Sequence, residues 1–444
     1  MIQALGPLGV GGVALAGLVL LLVVRVPVAI ALAAVGGVGL WAIRNETVAT
    51  KTLSATAFTA TSSIDLVAVP LFIAMGMLAV KAGIATGLYA AAARWLSRLP
   101  AGLGLATIVA CGFFAAVTGS SVATAASIGR FAIAEMRRYG YANDFCAGIV
   151  GTAGTLGILI PPSIVLVLYG IVAGESIGAL LIAGIVPGLL SLVMMMTAAM
   201  LRVVIDPAVA PRRAAADVES GTLATAVSGV GKTGVLFLVA VGSIYAGIAT
   251  PSEAAALGAV VAFVFALAEA RKAWGPGLAG IVEAFKETAS LTSMTFFIVV
   301  GASIFTAFLS LAGVPRVLSE FVLALDAPAW LVMVAILAIY LPLGMFLDGI
   351  SILLITTPLV YPLVTNLGYD GVWFGVMLVK MIEIGLITPP VGINAFVISG
   401  RATGVRVEEA FRGLAWFIPF ELATVAILFA FPDLVTFLPR SMGQ

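Results

Sequence analysis

One stretch of this chain occurs twice, and each copy ends in a double proline. From Gly140 to Pro162 the sequence is GYANDFCAGIVGTAGTLGILIPP, and from Gly368 to Pro390 it is GYDGVWFGVMLVKMIEIGLITPP. A shift of 228 residues (368 − 140) puts Gly140 on Gly368, Tyr141 on Tyr369, Gly157 on Gly385 and Pro161-Pro162 on Pro389-Pro390 with no gap. Each copy is an apolar run too long for a loop. It is stopped by two residues that lack an N–H and whose rings clash with the preceding turn, so each must be a helix that breaks. Two broken apolar helices at corresponding positions divide the chain into two related halves and point to a transport site.

The composition says what surrounds those helices. Of 444 residues, 62% are hydrophobic and 10% charged, far below the quarter or so of charged residues usual in soluble domains. Apolar segments of about 20 residues, long enough to cross a bilayer core as helices, recur along almost the whole chain, so the expected fold is an all-α polytopic membrane protein. Spans are expected at 8–24, 26–43, 66–93, 102–133, 177–201, 233–250, 252–270, 290–312, 327–364, 371–400 and 411–431. No basic stretch precedes the first of these, which reads as a retained helix and not a cleaved signal. The polar stretch 45–63 reads as an amphipathic arm on the membrane surface. A net charge of +1 argues against a nucleic-acid partner. The absence of histidine removes the usual proton shuttle and transition-metal ligand. Cys111 and Cys146 lie in apolar runs without metal-ligand spacing and read as small buried side chains.

Charge orients the halves. Arg137 and Arg138 precede the first Gly-Tyr loop, whereas Asn366 and Leu367 precede the second. After the double prolines the bias reverses, with Gly174-Glu175-Ser176 in the first half and Arg401, Arg406 and Arg412 in the second. Because basic loops favour the cytoplasm, equivalent loops fall on opposite sides, which is an inverted-topology repeat. The halves are 1–201 and 233–444, joined by a polar cytoplasmic linker at 202–232. Within it, GVGKTG lacks the glycine a phosphate loop requires, since Ala226 stands in its place.

Candidate binding residues lie where the apolar pattern fails. AVTGSSVATAASIG gathers Thr118, Gly119, Ser120, Ser121 and Thr124 in mid-span, either as a small-residue helix contact or as a hairpin tip whose hydroxyls and carbonyls take an ion. After the same shift the second half holds GMFLDGIS, with Asp348 and Gly349 at its centre. Ionisable groups at membrane depth usually mark a pathway; here these are Asp348, Glu383, Lys380, Asp65, Arg130 and Glu253. Asp348 either neutralises a cation or caps the helix behind it. Glu383 either faces the break or pairs with Lys380, three residues away. Glu253, behind Thr250-Pro251-Ser252, reads as a capping residue. Arg130 either meets an anionic substrate or reaches the surface. Broken helices offer N–H groups to anions and free carbonyls to sodium, so no cofactor or carboxylate cluster is needed.

The motifs TGSSVATAASIG, TLGILIPPSIVLVLYG, TPSEAAALGA, LGMFLDGISILLITTPLVYPL and EIGLITPPVGINAFVISG resemble, in this order, the large membrane subunit of tripartite ATP-independent periplasmic (TRAP) transporters. The resemblance runs from near Val26 to near Pro432. It implies an ion-transporter-superfamily-like fold with re-entrant hairpins and an elevator mechanism. It also implies a sodium-driven importer of small organic acids in the bacterial inner membrane, not an enzyme. Two partners are implied: a small four-helix (Q) membrane subunit and a soluble periplasmic substrate-binding (P) protein. Carried over by motif, substrate and ion ligands would come from Thr118, Gly119, Ser120, Ser121, Thr155, Pro161 and Pro162 in the first half. In the second they would come from Asp348, Gly349, Glu383, Thr388, Pro389, Pro390 and Asn394, with sodium at Ser121, Asp348 and Thr388. A stand-alone sodium- or proton-coupled carboxylate carrier is the alternative.

Overall fold

Helices end at Gly83, Gly119, Gly174, Gly313 and Asp348-Gly349, whereas Pro342, Pro358, Pro362 and Pro419 lie inside helices. The computed structural model describes residues 6–211, 222–400 and 404–441. Among them no strand forms, and a lone bridge pairs Gly400 with Val405. The first half comprises α1 (Gly6–Val23), α2 (Val28–Ile43), α3 (Glu46–Ser62), α4 (Ala68–Lys81), α5 (Ile84–Leu96), α6 (Gly102–Thr118), α7 (Ser121–Arg138), α8 (Asn143–Thr155), α9 (Ile164–Ala173), α10 (Ile177–Ala183) and α11 (Ile185–Ile205). In the second half α12 (Leu223–Phe237) runs through a π turn at Leu238–Gly242 into the single turn α13 (Ser243–Tyr245). Then come α14 (Pro251–Ala270), α15 (Trp274–Ala312), α16 (Val314–Ala324), α17 (Ala329–Phe346), α18 (Gly349–Asn366), α19 (Gly371–Ile387), α20 (Ile393–Ile398), α21 (Val407–Ala430) and α22 (Asp433–Ser441). Eight helical segments among the described residues are long and apolar enough to cross a membrane.

Several expected spans divide differently. The run 66–93 breaks after Ala82, where Gly83 takes φ 71°, a conformation only glycine adopts readily. The run 177–201 divides at Gly184, and 327–364 at Leu347-Asp348. The expected span 290–312 is instead the C-terminal part of α15, a 39-residue helix and so about 58 Å long. Its only proline, Pro276, falls in the first turn, where the missing N–H costs nothing. The arm 45–63 is helical and capped by Asn45, whose Oδ1 accepts from Val48 N at 2.8 Å. The segment 202–232 is helical at both ends, in α11 and α12, and GVGKTG lies inside α12. Residues 212–221, with Arg212, Arg213, Asp217 and Glu219, and Arg401 lie outside the described residues.

Small residues let the helices meet backbone to backbone. Gly36 of α2 packs on the backbone of Phe305 in α15, and Gly87 of α5 on Gly229 of α12. Ion pairs gather at one end of this group. Lys81 meets Glu283 at 2.7 Å, Lys232 and Lys272 share Glu269, and Lys232 also donates to the Ala82 carbonyl at 2.8 Å. The broken helices pack crosswise. The post-break helix of the first half, α9, lies on α18 and α19 of the second, while the post-break α20 lies on α7 and α8 of the first. Residues 164–173 and 392–401 correspond under the 228-residue shift, so each half supplies the same piece to the other.

Candidate functional site

At both places where the sequence puts a tip, one helix ends and the next begins. In the first, Gly119 ends α6 with φ 61°, a left-handed turn that any side chain would strain. Ser120 caps α7 by accepting from Ala123 N at 3.4 Å. Thr118 is buried; its Oγ1 lies 2.8 Å from Thr124 Oγ1 and donates to the Phe114 carbonyl at 3.3 Å. Ser121, also buried, opens α7. The broken stretch of the same half closes on this tip. The Pro162 carbonyl sits against Gly119, and Gly157 is in backbone contact with Ser120 and Ser121. Thr155 ends α8 and donates to the Thr152 carbonyl at 2.7 Å. Pro161 and Pro162, joined by a cis peptide, are buried, and Ser163 caps α9 while donating to Ile158 O at 2.5 Å.

The second tip is built with a carboxylate. Asp348 caps α18: its Oδ1 accepts from Ile350 N at 3.1 Å and Ser351 N at 3.0 Å, and its Oδ2 accepts from the Ser351 hydroxyl. The capping reading of Asp348 therefore holds. Three of its roughly four lone-pair positions are used among the described residues. Gly349 packs on Ile382, and Gly344 of α17 packs backbone to backbone on Gly385. Thr388 donates to the Ile384 carbonyl at 2.5 Å and caps the end of α19. Pro389 and Pro390, also joined by a cis peptide, are exposed, in contrast to their buried counterparts. Asn394 ties the halves together: its Nδ2 donates to the Gly151 carbonyl of α8 at 3.1 Å, and its buried Oδ1 has no hydrogen-bond partner among the described residues.

Glu383 is not part of this tip. Ile382 and Gly385 face α17 and α18, while Glu383 turns to the far side of α19 and pairs with Lys380 at 2.9 Å. Glu421 of α21 pairs with the same lysine. The sequence reading missed Glu421, although an acidic residue two places after Pro419 in an apolar span satisfies the rule that flagged the others. Asp65 and Arg130 are exposed and outside both tips. Glu253 forms a capping box with Thr250, with bonds of 2.8 Å to the Thr250 N–H and hydroxyl.

The tips combine neutral hydroxyls, helix-end carbonyls and one carboxylate, a set of hard oxygen donors. The described residues contain no group of three His, Cys, Asp or Glu that would hold a transition metal. Residues 15–434 match the family described as the tripartite ATP-independent periplasmic transporter, DctM component. The chain belongs to this family. As a TRAP large permease subunit it is a multi-pass protein of the bacterial inner membrane and a transporter component, not an enzyme. It is 34% identical over 394 residues to the C4-dicarboxylate TRAP transporter large permease protein DctM of Pseudomonas aeruginosa, covering 89% of this chain and 90% of that one. Identity is also 34% over 425 residues to the isethionate TRAP transporter permease protein DctMQ of Oleidesulfovibrio alaskensis, covering 94% of this chain and 64% of the relative. The sialic acid TRAP transporter large permease protein SiaM of Vibrio cholerae is 29% identical, covering 84% and 86%. In fold, the TRAP subunit is similar to the crystal structure of the Alcanivorax borkumensis YdaH transporter, with a TM-score of 0.60 at 14% identity over 94% of this chain and 97% of that one.

Proposed function

We propose that this TRAP large permease subunit imports a small organic acid, coupled to sodium, by an elevator motion of the two tips and broken helices against the remaining helices. The observation that carries this reading is the pairing of each tip with a broken helix of its own half, through Gly157 on Ser120 and Gly344 on Gly385. This puts hydroxyls and helix-end carbonyls of the kind sodium prefers beside helix N-termini of the kind carboxylates prefer. Ser121, Asp348 and Thr388 are the proposed sodium ligands, and Asn394 Oδ1 adds a free acceptor near the meeting of the halves. An apolar cleft of about 450 Å³ between α6 and α12, lined by Phe113, Ala116, Val230 and Phe237, supports an interface that slides without breaking polar bonds. The relatives' names range over C4-dicarboxylate, isethionate, sialic acid and ectoine, which supports a small molecule bearing a carboxylate or sulfonate as the substrate class. The DctMQ name of one relative supports a small membrane subunit as partner, and the family's description supports a periplasmic binding protein.

The test is thermal unfolding of the purified protein in detergent, titrated with sodium against potassium or choline at constant ionic strength. A ligand bound only by the folded state stabilises it increasingly with concentration. Sodium-selective stabilisation, weakened in Asp348→Ala and Ser121→Ala, is expected. Equal stabilisation by all three cations overturns sodium coupling. Uptake into vesicles without any added binding protein would favour a stand-alone carrier.

A further inference from the structure

We propose that Glu383 and Glu421 together hold one bound proton, so that the Lys380–Glu383–Glu421 cluster is a proton-binding site separate from the tips. Two carboxylates and one ammonium sum to a charge of −1. All three side chains are buried, Lys380 at 0% exposed and each glutamate at 1%. An uncompensated charge at such depth is strongly disfavoured, and a single proton removes it.

The unmet valence is visible in the geometry. Lys380 forms ion pairs with both carboxylates, but Oε1 of Glu383 and both carboxylate oxygens of Glu421 have no hydrogen-bond partner among the described residues. Among the described residues, the charges beside Glu383 are those of Lys380 and Glu421. Other elements packed on α19 bring no counter-charge. From α9, α17 and α18 come the hydroxyls of Tyr169, Tyr340 and Tyr361, and α10 and α20 carry no titratable group. Asp144 of α8 meets Arg202 at 3.8 Å, Cys146 beside it is a buried free thiol, and Asp433 and Arg440 of α22 pair with each other at the surface. On α21 itself, Glu408, Glu409 and Arg412 lie nine or more residues before Glu421, at least about 13 Å along the helix. A sodium ion would need a shell of several oxygens, whereas a proton needs only one of these unpartnered oxygens. The proton comes from water and is held by simple protonation, with no further reactant. This site does not depend on sodium coupling at the tips.

Infrared spectroscopy of the full-length protein in detergent at pH 7 tests the assignment. A buried glutamic acid gives a carboxylic C=O band resolved from carboxylate bands, shifting in D₂O and on labelling with ¹³C-carboxyl glutamate. Wild type is expected to show this band, unchanged when sodium is replaced by choline. Glu383→Gln and Glu421→Gln are each expected to lose it, because the remaining carboxylate then balances Lys380 alone. Absence of a ¹³C-sensitive band in wild type, which requires no variant to fold, overturns the proposal. So does a band retained in both variants, or one that appears only when sodium is withdrawn, which would assign the cluster to sodium.

Discussion

The helices α8 and α19 descend to their double prolines with different chemistry. At the positions where α8 carries Thr152 and Thr155, α19 carries Lys380 and Glu383 (152 + 228 and 155 + 228). Thr155 is satisfied locally by the Thr152 carbonyl, and the Thr152 hydroxyl has no hydrogen-bond partner among the described residues. The ions require a neighbour, Glu421 on α21. Helix α21 serves both: it touches α8 through bare backbone, Gly413 against Asp144 and Gly148, and holds α19 through charge. The break is therefore set by proline and by the glycine four residues ahead of it, and the residues before that glycine are free to differ. What they decide is how firmly the helix is attached to α21.

The sharpest way to break this comparison is to remove the lysine. Lys380→Met leaves two buried carboxylates without their cation and is expected to cost about 3–5 kcal/mol, read as a large fall in the thermal midpoint in detergent at pH 7. A fall no greater than that of a surface variant would show that the cluster is not the attachment described. Next come the glycines common to both halves. Gly157→Ala and Gly385→Ala each push a methyl into opposing backbone and should each cost about 1–3 kcal/mol by overpacking. Equal losses, together with loss of sodium-dependent stabilisation, would mark the two contacts as equivalent; a loss confined to one would separate the halves.

Capping gives a smaller effect that separates the tips. Asp348→Ala should lose about 0.5–2 kcal/mol and Asp348→Asn little of it, since asparagine caps as well. Comparing their sodium titrations isolates the charge: if Asp348→Asn responds to sodium as wild type does, the carboxylate is a cap and nothing more. The smallest effect is expected at Thr152, whose buried hydroxyl has no hydrogen-bond partner among the described residues. Thr152→Val should leave the midpoint nearly unchanged or raise it, because removing an unsatisfied group relieves a desolvation cost. A loss comparable to that of Lys380→Met would mean that α8 is as strongly tied as α19.

The features legible in the sequence were those imposed by the backbone. Proline pairs, Gly119 and Asp348-Gly349 announce breaks because few conformations accommodate them, and the caps at Asp348 and Thr250–Glu253 follow from helix ends that leave N–H groups unpaired. The pairing of Glu383 with Lys380 was legible as a three-residue spacing. What was not legible was direction: one residue along a helix turns a side chain by about 100°, enough to take Glu383 from the tip face shared by Ile382 and Gly385 to the face toward α21. Glu421 lies 38 residues from Glu383 (421 − 383), beyond any local pattern. The length of α15 was hidden because polar residues at its start look like a loop until their continuity with the apolar stretch is seen.

The crosswise packing of α9 and α20 has a consequence for biogenesis. Helix α9 ends at Ala173 and its partner α18 begins at Gly349, 176 residues later (349 − 173). At a synthesis rate of about 5–20 residues per second, α9 waits roughly 9–35 s for the surface it will cover. The first tip, closed by Gly157 and Pro162 of its own half, can form before then, whereas the second-half surface that α9 covers arrives only with the last third of the chain.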